Sequence, residues 1–280
     1  MGQAFVERYL SQAYSVRVFN RNPDNIKNLR GSDVTICSTA TELINLSSTI
    51  ILMVSDAEAI KDILHNALKD NQQNVLKGKT ILQMATISPT QSKEISEYVL
   101  SIGGHYLEAP VLGSIPEAKA GCLIIMAAGP KEVYETNLTT LKVLGPAPRY
   151  IGETGSAAAL KLSMNQLIAS LTAGFSLSLA YAIENEVDTE VFMETVRESA
   201  LYAKTYDKKL EKYLNREFGA ANFSTQHLLK DINLFIDDAK ARGLNTDALE
   251  GIERITKQTV EAGMGTMDYS SIFEKIYPET

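Results

Sequence analysis

The chain has 280 residues, 45% hydrophobic and 22% charged, long enough for two domains and too apolar for extended disorder. A net charge of -7, a pI near 5.2 and the absence of any Lys/Arg block exclude the electrostatic footprint of a nucleic-acid or anionic-membrane binder. Cys37 and Cys122 lie far apart with no CxxC or Cys/His spacing, and only three histidines are present, so reduced thiols and no metal are expected. No 18-residue apolar run and no basic-then-apolar start is visible, which points to a cytoplasmic protein.

The segment QAFVERYL after Met1-Gly2 has the composition of the helix that follows a glycine-rich nucleotide turn. Gly2 would then be the last glycine of a G-x-G-x-x-G whose beginning, with the first strand, is not in this sequence. An upstream start is favoured, because a parallel sheet without its central strand leaves backbone groups in need of pairing. The plain alternative is that Met-Gly is an ordinary start.

Short β-rich runs follow at SVRVF (15–19), TIILMV (49–54), TILQM (80–84), HYLEAPV (105–111) and CLIIMAAG (122–129), separated by helical segments. Such alternation predicts an α/β, doubly wound, mostly parallel Rossmann-type sheet covered on both faces, its first strand truncated. Asn22-Pro23 and Ser88-Pro89 each read as a helix cap followed by proline in the first turn. The first run ends in Phe19-Asn20-Arg21-Asn22, with no acid before Asp24. An arginine there suits a ribose 2′-phosphate and points to NADP, with NAD possible; a solvated turn arginine is the alternative.

After Gly145-Pro146-Ala147-Pro148 the pattern turns helical, which divides the chain into a dinucleotide-binding domain over 1–153 and an all-α domain over 154–280. Ser156 to Ile183 reads as one long helix, apolar nearly all round and therefore buried. Further helices are predicted over 188–203, 206–214, 224–242 and 245–262.

Within the long helix Lys161 and Asn165 fall four apart on one face, after small residues that permit close approach. A lysine among apolar neighbours can exchange protons near neutrality, although a helix lysine more commonly snorkels to the surface. The loop EAPVLGSIPEAKAG (108–121) leaves a strand at its carboxyl end, and its amides around Leu112, Gly113 and Ser114 could cup a substrate carboxylate or simply turn the chain. His227, Lys230 and Asp231 share a later helix, where Lys230 either reaches the active site or is an ordinary surface charge.

The whole chain resembles the β-hydroxyacid dehydrogenases, through FNR (19–21), TISPTQSKEI (86–95), EAPVLGS (108–114), the G-x5-K-x3-N pattern from Gly155 to Asn165, LLKDINL (228–234) and GMGTMDYSSI (263–272), in the family's order and spacing. The wording is most similar to the glyoxylate/succinic semialdehyde reductase branch. The resemblance implies hydride transfer between NADP and a small carboxylate-bearing alcohol or aldehyde, with Lys161 as general acid/base and Asn165 as its partner. It implies that Gly2, Asn20, Arg21, Val54, Ser55 and Thr86 lie along the cofactor. It also implies that Lys230 closes over the nicotinamide from the second domain, with Asp231 beside it on the cofactor, and that the helical domains pack into homodimers or homotetramers.

Two residues depart from the family pattern besides the missing fingerprint. Leu112 stands where most relatives place a substrate-binding serine, and Ala157 where a second glycine is common. Two rival readings remain at this point: an imine reductase, a class that usually lacks the lysine, and a non-catalytic dinucleotide-binding scaffold protein.

Overall fold

The computed structural model describes residues 1–29, 33–67, 75–219 and 221–279. The chain divides into two units, Met1–Lys161 and Leu162–Thr280.

In the first unit the order is α1 (Gly2–Ser11), β1 (Val16–Val18), β2 (Val34–Ile36), α2 (Ala40–Leu46), β3 (Thr49–Leu52), α3 (Ala57–Ala67), β4 (Thr80–Gln83) and α4 (Pro89–Ser101). It continues with β5 (His105–Glu108), β6 (Val111–Leu112), α5 (Ile115–Ala120), β7 (Ile124–Ala128), α6 (Lys131–Leu144) and β8 (Arg149–Gly152), and ends in the first turns of α7 (Ser156–Glu184). Side chains alternate across each strand, and both faces of the sheet are apolar. Ile50, Leu52, Ile81 and Tyr106 enter one cluster with Ile60, Leu64, Ile95 and Val99 of α3 and α4. Their neighbours Ile51, Leu82 and Leu107 enter the opposite cluster with Phe5, Tyr9, Leu141 and Leu144 of α1 and α6. The two helix layers expected from the sequence are thus accounted for by period-two alternation in three strands.

The sheet is mostly parallel, as expected, with two antiparallel pairings. β3, β4 and β5 pair in parallel, but β7 runs antiparallel to β5, with Glu108 opposite Ala128. β7 also pairs antiparallel with β6 and parallel with β8. β1 and β2 form a separate parallel pair, so β1 and β3 are both edge strands. The run 105–111 is split because Ala109-Pro110 interrupts it: proline has no N–H to give a ladder, and its carbonyl instead accepts from the Met126 amide at 3.0 Å. Ser88 caps α4 with a full capping box, as its sequence predicts, whereas Asn22-Pro23 opens only a single 3-10 turn.

The second unit holds the rest of α7, then α8 (Thr189–Glu198), α9 (Lys204–Asn215), α10 (Thr225–Ala241), α11 (Asp247–Thr259) and α12 (Phe273–Ile276). Phe175 and Leu179 of α7 pack with Met193, Tyr213, Phe218 and Phe273, while Ala169 packs with Leu228, Ile232 and Leu249. Asp268, fully buried, takes Lys209 Nζ at 2.7 Å on both oxygens and the Ser270 hydroxyl at 2.7 Å, which fixes the segment before α12.

Helix α7 runs 29 residues, about 43 Å at the usual rise. It is not buried all round: Leu177 is 61% and Tyr181 72% exposed, and Leu167 and Leu171 also face outward. Its best 18-residue window has mean hydropathy 1.4, which reaches membrane-span criteria by length and composition alone. The expectation of no such run is thereby corrected. The polar side chains of Asn165, Thr172 and Ser176 are buried among the helices of this unit, as befits a core helix.

Candidate active site

In the first unit the carboxyl ends of β3 and β4 lie side by side, since Leu52 pairs with Gln83. The residues that follow, Val54-Ser55 and Thr86, therefore leave the sheet from one edge. Gly2 begins α1, and a Cβ on it would stand 4.0 Å from the Met53 carbonyl oxygen, so the start of this helix meets the same edge. Ser55 Oγ is held by Asp56 Oδ2 at 2.7 Å, and Asp56 Oδ1 accepts the Ala59 amide at 2.8 Å at the start of α3. Strand ends, a glycine and a helix N-terminus in one place form the arrangement that receives a dinucleotide. Asn20 and Arg21 follow the carboxyl end of β1, where Asn20 Oδ1 accepts the Asn22 amide at 2.9 Å and Arg21 stands exposed.

The loop after β5 is shaped by packing. Gly113 has φ +129°, and a Cβ there would meet Leu123 Cδ2 at 2.6 Å, so only glycine fits. Ser114 caps α5: its amide and hydroxyl reach Glu117 Oε2 at 2.9 and 2.5 Å. Its amide and hydroxyl are thus both held by one carboxylate oxygen of Glu117. Leu112, half-buried, packs with Leu160 against Met126, Ala128 and Ala157, so it joins the loop to the first turns of α7.

Glu108, 1% exposed, sits at the end of β5 and faces the start of α7. Its Oε1 accepts the amides of Gly155 and Ala157 at 2.8 Å and of Ala158 at 3.3 Å. Its other oxygen accepts the Ser92 hydroxyl, which lies 2.8 Å from the Tyr106 hydroxyl. Burial pushes the Glu108 carboxyl up, against the opposing pull of Ser92 and the three amides. Lys161 lies one turn beyond these amides, half-buried. In the sequence Glu108 stands out only within the EAPVLGS motif; the signal is a carboxylate directly after the apolar pair Tyr106-Leu107.

In the second unit Asn165 and Asp231 are both buried, with Asn165 Nδ2 donating to Asp231 Oδ2 at 2.6 Å. Lys230 Nζ stands 3.0 Å from Asp231 Oδ1. Asp231 is therefore an internal bridge between Asn165 and Lys230. His227 Nδ1 lies 2.6 Å from Ser224 Oγ, and burial, with Lys230 adding to it, pushes its imidazole down against the opposing Asp231. Among the described residues no three His, Cys, Asp or Glu side chains form a metal-binding group.

Residues 1–152 match the family model described as the NAD binding domain of 6-phosphogluconate dehydrogenase, and residues 155–276 match that described as NAD-binding of NADP-dependent 3-hydroxyisobutyrate dehydrogenase. The chain belongs to the β-hydroxyacid dehydrogenase family. This is a family of NAD(P)-dependent dehydrogenases and reductases acting on hydroxyacids. The chain is 26% identical to glyoxylate/succinic semialdehyde reductase 1 of Arabidopsis thaliana over 99% of its own length and 95% of that protein's. It is 23% identical to the cytokine-like nuclear factor N-PAC of Anopheles gambiae, of whose length it spans 48%. Its fold superimposes on 3-hydroxyisobutyrate dehydrogenase from Mycobacterium tuberculosis with a TM-score of 0.86 at 18% identity, covering 99% of this chain and 95% of that one.

Gly155 has φ +101°, which aims its amide at Glu108 and is strained for any other residue. Gly155→Ala is expected to cost about 1–3 kcal/mol of stability, read by urea unfolding. An unchanged midpoint would show that the turn relaxes freely.

Proposed function

We propose that this chain is an NADP-dependent reductase and dehydrogenase that moves hydride between the nicotinamide and a small 3-hydroxy acid or a semialdehyde- or glyoxylate-type substrate. The observation that carries the reading is the pair Lys161 and Asn165, one turn apart on a helix whose first amides are bound by the strand that leads into the 112–114 loop. The Arabidopsis relative, whose name gives glyoxylate and succinic semialdehyde, supports the substrate class.

Gly2, Val54, Ser55 and Thr86 fit a dinucleotide laid along the strand ends, and the exposed guanidinium of Arg21 fits a 2′-phosphate. When bound, the nicotinamide supplies the hydride in reduction and accepts it in oxidation. Lys161 Nζ gives a proton to the substrate oxygen in reduction and takes it back from the hydroxyl in oxidation. Asn165, its Nδ2 fixed on Asp231, uses its carbonyl oxygen to orient the lysine or the substrate. In the first unit the Gly113 loop receives the substrate carboxylate, and in the second unit Lys230 and Asp231 are the candidate ligand contacts. Leu112 gives this loop an apolar wall where a hydroxyl donor is common in the family, so acids with an apolar stem are favoured.

NADPH oxidation with glyoxylate and with succinic semialdehyde tests the reading. Lys161→Ala should lower kcat/KM by about 10²- to 10⁴-fold. Arg21→Ala should raise KM for NADPH by about tenfold or more while leaving NADH unaffected. NADPH binding with no turnover on any aldehyde or hydroxy acid would replace this account with that of a dinucleotide-binding scaffold, and turnover confined to cyclic imines with that of an imine reductase.

The same reading includes a homodimer, or a homotetramer built from it. A groove of about 550 Å³ on the helical unit is lined by Leu177, Tyr181, Ala182, Val187 and Phe192, and a second adjoins it at Val191 and the 77% exposed Leu201. Monomeric surfaces rarely leave so contiguous an apolar face uncovered. Light scattering should give a multiple of the 30.7 kDa chain mass, and Tyr181→Glu should shift it toward the monomer. A monomeric wild type would contradict this.

A further inference from the structure

Glu108 joins the two parts of the first unit on which the proposed chemistry depends. It ends β5, four residues before Leu112, and its acceptor contacts end at Ala158, three residues before Lys161. A second tie runs parallel to the first, since Leu112 and Leu160 share one apolar cluster with Ala157. Had the helix been capped only by its own preceding residues, strand and helix could shift independently. Here the amides of Ala157 and Ala158 in its first turn, and of Gly155 just before it, end on a carboxylate supplied by the strand, and that carboxylate is braced from behind by Ser92 of α4. An α-helix is stiff over one turn, so whatever fixes residues 155–158 fixes the Cα of Lys161 as well.

We propose that Glu108 is a positioning residue for Lys161: through the three amides it sets where the ammonium stands relative to the 112–114 loop, without itself touching substrate or cofactor. This rests on the reading of Lys161 as general acid/base. A cap that served stability alone would leave the chemistry of the folded enzyme untouched when weakened. A positioning cap makes the rate sensitive to its removal, because a misplacement of about 1 Å can cost on the order of 10²-fold.

The test compares wild type, Glu108→Ala, Glu108→Gln and Lys161→Ala by circular dichroism and by steady-state kinetics with NADPH and succinic semialdehyde. Glu108→Ala should fold and lose kcat by about 10- to 100-fold, while KM for NADPH stays within about twofold. Glu108→Gln should recover most of the rate, since its carbonyl oxygen can accept the same three amides. The proposal is overturned if folded Glu108→Ala keeps its kcat, if the loss falls equally on NADPH affinity, or if glutamine rescues nothing. Should Glu108→Ala not fold, Ser92→Ala takes its place with an expected loss of about two- to tenfold in kcat, and no loss overturns the proposal.

If wild type shows no turnover, or Lys161→Ala keeps it, the acid/base reading has failed separately. Reductive methylation with formaldehyde and cyanoborohydride, read lysine by lysine in the mass spectrometer, then decides the positioning claim. A Lys161 rate changed by Glu108→Ala and restored by Glu108→Gln, with Lys119 and Lys142 constant, supports it; an unchanged Lys161 rate overturns it.

Discussion

The first amides of any α-helix have no acceptor within the helix, and a helix that starts inside a core must find acceptors there. In this protein the acceptor is the buried carboxylate of Glu108, at the end of the central strand β5. A carboxylate removed from water is costly unless it gains several hydrogen bonds, and here it gains three amides and a hydroxyl. Each side of the contact needs the other. The left-handed turn at Gly155, the small residues Ala157 and Ala158, and the placement of Lys161 one turn further on all follow from this contact.

The sheet sets the other constraint. Because β3, β4 and β5 are parallel and in register, their carboxyl ends open on one edge, and the loops that leave it carry Ser55, Thr86 and Gly113. Apolar side chains on both faces of these strands require helices on both sides, so function is left to the loops. The helical unit has its own polar centre, in which Asp231 holds Asn165 and Lys230 together.

Much of this was legible in the sequence, for physical reasons that differ by element. TIIL, TILQ and HYLE were readable as strands because buried parallel strands are apolar on both faces. β2 and β8 were not, being three and four residues long and largely exposed. The extent of α7 followed from its lack of proline, but its all-round apolar composition concealed which stripe faces outward. Lys161 and Asn165 stand out as a candidate pair because they are four residues apart. The pairing of Asn165 with Asp231 does not, because 66 residues separate them, and the contacts of Glu108 with residues 155–158 span 47 to 50. Local periodicity carries no record of such pairs. The resemblance to the family named the candidate residues, and the structure shows Asp231 bonded to Asn165 and to Lys230.

The most direct test of the account is the fate of the transferred hydrogen. Nuclear magnetic resonance of the product formed from succinic semialdehyde and NADPH deuterated at the nicotinamide C4 would show whether the label moves. The account predicts one deuterium on the carbinol carbon of the hydroxy acid, delivered with a single stereochemistry at C4. Product without deuterium, or no product from a folded protein that binds NADPH, would contradict it.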